Sequence, residues 1–116
     1  MTERLPPPTW RSLLFVPATS ERFVAKAHTR GADALILDLE DSIPPADKVA
    51  ARAALKDAAR IVAQGGADVC VRINRPLELA IPDIEAAVMP GIAALMIPKI
   101  MGPEHVRLLS EVVAVR

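Results

Sequence analysis

The sequence predicts an α/β fold in which four βα units share a parallel sheet, and three features predict it. Four short apolar runs alternate with Ala-rich stretches of helical spacing. The runs are nearly continuous in apolar residues, as in parallel strands covered on both faces. Three of them follow a helix-ending glycine in a local echo: GADALIL at 31–37, GADVCVR at 66–72 and GIAALMI at 91–97.

The first run, residues 12–16, stops at Pro17, and Ser20 offers an N-cap for a helix through about Thr29, with Gly31 at C′. The second run, residues 34–38, ends in the acidic cluster Asp38, Glu40 and Asp41, followed by Ser42. Pro44 and Pro45 prevent its continuation in a sheet, and Pro45 suits the first turn of a helix. That helix is expected over about 46–63, burying Ala50, Ala54, Leu55, Ala58, Ile61 and Val62. Gly65 and Gly66 end it. The third run, residues 68–74, leads through a loop with Pro76 to a short helix expected over 82–88, closed by Pro90 and Gly91. The fourth, residues 93–97, ends at Pro98 and Lys99, and a last helix is expected from about 103 to 113. Each interval between strands holds one crossover helix, expected to be right-handed. Four such units make a doubly wound sheet or half of a (β/α)8 barrel, which takes about 250 residues in full.

The 116 residues carry 14 basic and 14 acidic side chains. That balance argues against nucleic-acid binding, which needs excess cationic charge to displace counterions. No apolar run approaches the ~20 residues of a membrane span, and residues 1–8 lack the apolar core of a signal peptide. One cysteine, Cys70, excludes an internal disulfide and fits a reducing cytoplasm. Aromatic residues make up only 3%, so the core must be Ala, Val, Leu and Ile. A mean hydropathy of +0.30 with 24% charged residues describes a globular chain. No G-x-G-x-x-G or P-loop motif occurs.

Ligands of parallel α/β sheets bind beyond the C-terminal strand ends, and every run here delivers polar groups there. Alternation places Arg72 with Cys70 and Asn74, where its guanidinium can grip a carboxylate through two parallel hydrogen bonds or close the sheet end by pairing with Asp38 or Glu40. Asp38, Glu40 and Asp41 can serve a hydrated divalent cation or act as general base. Their structural alternative is helix entry, with Asp41 or Ser42 capping the turn before Pro44. Lys99 can neutralise an anion, form a Schiff base or simply extend into water. Lys48, Arg52, Lys56 and Arg60 form an i, i+4 stripe expected on a solvated helix face. His28 and His105 lack metal-ligand spacing and are expected at the surface; the methionines read as core filler and Cys70 as unreactive.

In order along the chain stand RSLLFVP (11–17), ERF (21–23), GADALILDLEDS (31–42), ADK (46–48), VRIN (71–74) and PK (98–99). This series resembles the N-terminal half of citrate lyase β-subunit-like proteins, a superfamily that includes malyl-CoA lyases and 2-keto-hydroxy-acid aldolases. The resemblance covers residues 10–116, after an N-terminal extension over 1–9. It implies the first four units of a (β/α)8 TIM barrel and a Mg²⁺-dependent carbon–carbon lyase or aldolase acting through an enolate. The substrate would be a small acidic molecule, a CoA thioester or 2-oxo acid. Arg72 and Asp41 would be catalytic, and Arg72, Asp38, Glu40 and Lys99 would bind substrate. Arg22 and Lys26 match a CoA-binding region. Ala18 stands where relatives usually have Gly. Glu40 and Asp41 would lie near the water shell of Mg²⁺, whose direct ligands, a Glu and an Asp from the fifth and sixth strands, are expected beyond residue 116. If these residues are the whole chain, the open edges of the first and fourth strands predict a homo-oligomer or a poorly soluble protein. The alternative to an enzyme is an inactive half-barrel that binds CoA or an acidic metabolite, or serves as an assembly partner; a small doubly wound regulatory domain is a third possibility.

Overall fold

The computed structural model describes residues 6–116, so part of the extension expected over 1–9 lies outside the described residues. Four strands, β1 (Leu13–Pro17), β2 (Ala34–Asp38), β3 (Asp68–Arg72) and β4 (Ile92–Met96), form one parallel sheet in the order β1-β2-β3-β4. They alternate with α1 (Glu21–Ala27), α2 (Lys48–Val62), α3 (Leu77–Ala87) and α4 (Pro103–Ala114). Sequential order with no reversal is the topology of a barrel arc, and it removes the doubly wound alternative.

The two faces of the sheet differ. Leu35, Leu37, Val69, Val71 and Ile73 pack with residues of all four helices, including Val24, Leu55, Ile84 and Leu109. The opposite face holds a small cluster of Ala34, Ile36 and Cys70, with Trp10 and the β4 residues Ala94 and Met96 packed against it. The strands are apolar on both sides because one side meets helices and the other lines the inner, concave wall. β1 and β4 are the sheet edges, and Leu13 and Phe15 on β1 are exposed.

Helix α2 buries Ala51, Leu55, Ala58 and Val62, while Ala50 is exposed. Leu55, Ala58 and Val62 are buried as expected and Ala54 and Ile61 are half-buried, while Ala51 rather than Ala50 completes the stripe. Helix α3 begins at Leu77, five residues before Pro82. Its inner stripe of Ala80, Ile84 and Ala87 carries the helix through the proline, at the cost of a hydrogen bond to the Glu78 carbonyl on the exposed side. Ser20 caps α1 by accepting from the Phe23 N–H. Gly66 adopts φ +86 after α2, where any side chain would be strained.

Before β1 the chain is pinned across the lower end of the sheet. Asp33 accepts from the N–H groups of Arg11 and Ser12, and these bonds lower its pKa. The Trp10 indole donates to Asp68 at 2.7 Å. These two aspartates are equivalent members of the Gly-Ala-Asp echo.

Candidate active site

Parallel pairing aligns Pro17, Asp38, Arg72 and Met96 in one row at the C-terminal strand ends. In register, Asp38 and Arg72 are direct neighbours, and their side chains meet in a fork. Arg72 Nε donates to Asp38 Oδ1 and Nη2 to Oδ2, both at 2.8 Å. The guanidinium lies 4.4 Å from the Phe15 ring centroid, a cation–π contact that holds its plane. Glu40 Oε1 stands 3.7 Å from Arg72 Nε, and Lys99 Nζ donates to Glu40 Oε2 at 2.7 Å. Arg72, Asp38, Glu40 and Lys99 therefore form one alternating chain of charge. Lys99 reaches it from a backbone at φ +52, a conformation uncommon for a side-chain-bearing residue.

Asp38 is 1% exposed, and it also accepts from the Ser42 N–H, the Ser42 hydroxyl and the Glu40 N–H. Burial opposes its charge, but Arg72, Ser42 and the two backbone donors outweigh it and hold the carboxyl far below the usual range. The pairing with Asp38 raises the pKa of Arg72 in turn. The turn after β2 is thus closed by Asp38 itself rather than by a cap from Asp41 or Ser42. Asp41 is exposed at the rim.

The remaining expectations divide. Arg22, in the first turn of α1, is exposed with its guanidinium 6.0 Å from the Phe23 ring. Lys26 lies a turn further along and lines a groove with Phe15, Phe23 and Arg30 beside β1. Neither joins the Arg72 cluster. Asn74, two residues past the end of β3, leaves the alternation shared by Cys70 and Arg72 and turns to Asp83 on α3. The basic stripe of α2 is not wholly solvated: Lys48 Nζ donates to the Leu39 and Glu40 carbonyls, and Arg52 Nε to Asp83 at 2.6 Å. His28 and His105 are half-buried rather than at the surface; His28 packs on Gly65, and His105 Nδ1 accepts from the Met101 N–H. Met101 is exposed, unlike a core filler. Burial pushes the Cys70 thiol pKa up, as expected of an inert cysteine.

Sequence reasoning passed over Asp83, Phe15 and the inward members of the α2 stripe. Asp83 carries a signal only once α3 is known to start at Leu77, which makes it the acid on the buried Ala80–Ala87 stripe.

Among the described residues, no three His, Cys, Asp or Glu side chains gather as metal ligands. Asp38 is committed to five donors and Glu40 to Lys99, so this set does not fit direct coordination of a metal. What the arrangement offers is a fixed cation at a strand end. Arg72 Nη1 has no acceptor among the described residues, so it and the ammonium of Lys99 are available to an anionic ligand.

The family model described as HpcH/HpaI aldolase/citrate lyase matches residues 11–116. The chain is 38% identical over 92 residues to a (3S)-malyl-CoA thioesterase of Cereibacter sphaeroides, covering 78% of this chain and 32% of that protein. It is 36% identical over 94 residues to citrate lyase subunit beta of Leuconostoc mesenteroides subsp. cremoris, covering 78% and 30%. With mitochondrial citramalyl-CoA lyase of Mus musculus the identity is 34% over 106 residues, covering 87% and 31%. The crystal structure of RipC from Yersinia pestis matches with a TM-score of 0.60 at 34% identity, over 90% of this chain and 41% of that one. The chain thus spans about a third of the length of these curated relatives. With strands in barrel order and a family match over all four βα units, the chain belongs to the HpcH/HpaI aldolase/citrate lyase family.

Proposed function

We propose that these four βα units supply the substrate-carboxylate side of a carbon–carbon lyase or aldolase site. The substrate class is a small acidic metabolite, a CoA thioester or 2-oxo acid, reacting through an enolate in a cytoplasmic, homo-oligomeric protein. One observation carries the reading: the Arg72 guanidinium, held by two 2.8 Å bonds to Asp38 and faced by Phe15, sits at the C-terminal end of the sheet. A cation fixed in this way needs no reorganisation when negative charge develops on an enolate oxygen. Relatives named for malyl-CoA, citramalyl-CoA and citrate support the substrate class.

Arg72 binds the carboxylate or 2-oxo group, and Asp38 holds its plane. Lys99, tethered by Glu40, adds a second positive charge at the same rim. Asp41 is the carboxylate free to handle a proton or an outer-shell water. Arg22 and Lys26 on α1 meet the phosphates of a CoA ester. The Mg²⁺ that the family resemblance implies would take its direct ligands from outside these residues.

The test is calorimetric titration of the intact protein with oxaloacetate or pyruvate in the presence of Mg²⁺. Binding by the parent and its loss in Arg72→Ala support the reading; equal binding by both removes Arg72 from this role. Binding without carbon–carbon cleavage would make the arc a binding element only.

A further inference from the structure

Asp83 is 0% exposed, an aspartate on the core face of α3. A buried carboxylate persists only where its acceptor sites are filled. Here Arg52 Nε of α2 donates to one oxygen at 2.6 Å. The other accepts twice from Asn74, from its N–H at 2.8 Å and from its side-chain amide at 2.7 Å. The same amide nitrogen donates to the Leu39 carbonyl at 2.9 Å, so both of its hydrogens are used.

Leu39 lies directly between Asp38 and Glu40. Its N–H donates to the Arg72 carbonyl at 3.0 Å, and its carbonyl accepts from Asn74 and from Lys48. Lys48 also holds the Glu40 carbonyl, at 2.7 Å. The peptides flanking the two carboxylates around Arg72 are therefore held by Lys48 of α2 and by Asn74, which Asp83 of α3 holds in turn. Core filling does not call for this: Asp83 stands in line with Ala80, Ile84 and Ala87, where an apolar residue would pack with no partners to find.

We infer that Asn74, anchored by the Arg52–Asp83 pair, is a positioning residue that fixes the Leu39–Glu40 segment and through it the orientation of the Arg72 guanidinium. The inference rests on the proposed function only in its consequence for turnover; its geometric part stands apart from any substrate.

The experiment reads the hydrogen-exchange rate of the Arg72 Nε–H by NMR in the intact protein, against the Val71 amide as internal reference. Asn74→Ala is expected to speed Nε–H exchange at least about tenfold relative to Val71. Ile84→Val, a core truncation on the same helix face outside the network, is expected to lower Tm without that change. If Asn74→Ala does not fold, Arg52→Lys, at a partly exposed position, is expected to give a smaller acceleration of the same kind. Nε–H exchange that tracks Tm alone across these variants overturns the inference. Where turnover is measurable, Asn74→Ala is expected to lower kcat more than it raises KM. If Arg72→Ala leaves substrate binding intact while Nε–H exchange still responds to Asn74, the proposed function fails and the positioning stands.

Discussion

Replacing Asp38 and Arg72 by alanine, singly and together, measures the fork that organises the site. Each charge-assisted hydrogen bond contributes about 1.5–3 kcal/mol, so the pair of bonds has a gross value of about 3–6 kcal/mol. Two features reduce it. The Arg72 side chain is 21% exposed, so water replaces part of what it loses, and Glu40 at 3.7 Å remains beside it when Asp38 is removed. A coupling energy of about 2–4 kcal/mol is expected at neutral pH from urea unfolding followed by far-UV circular dichroism and Trp10 fluorescence. The pH dependence has a definite sign. The carboxyl pKa of Asp38 is lower folded than its usual 3.8, so its contribution is complete above that value and is lost as pH falls through the folded pKa. The coupling should hold from pH 7 to about 5 and shrink below about 4. A coupling under about 0.5 kcal/mol at pH 7, or one unchanged in acid, would show that the fork does not hold Asp38 and Arg72 together.

Other perturbations probe the frame. Leu55→Ala, at a fully buried position of α2, should cost about 2–5 kcal/mol in the same unfolding assay. Gly66→Ala meets no neighbouring atom within 4 Å, yet its φ of +86 should cost about 1–2 kcal/mol through backbone strain alone. Cys70, buried with a raised thiol pKa, should react with a disulfide reagent at pH 8 only as fast as the protein opens, and at once in urea. Labelling as fast as a free thiol would place that face of the sheet in solvent.

The fold was legible because its signals are local. Each helix-ending glycine of the echo precedes a strand, and Pro17 and Pro98 mark the ends of β1 and β4. The start of α3 was not, because Pro82 outweighed a buried stripe that only packing reveals. Alternation brought Arg72 to the concave face but misplaced Asn74, since period two holds only while the strand lasts, and β3 ends at Arg72. Spacing leaves Arg72 a choice between Asp38 and Glu40, which the register settles by making Asp38 its direct neighbour, whereas the bond between Lys99 and Glu40 spans 59 positions and has no local signal. The α2 stripe reads as solvated by spacing; that Lys48 and Arg52 turn inward follows from carbonyls and a carboxylate supplied by other elements.

Enolate formation at the Arg72 rim is tested most directly by the loss of pyruvate methyl protons to D₂O, followed by ¹H NMR with the intact protein and Mg²⁺. Exchange is expected in the parent, with a decrease of about 10²–10³-fold in Arg72→Ala, the effect of removing one preorganised donor from a developing oxyanion. Exchange at the parental rate in Arg72→Ala would contradict this role for Arg72.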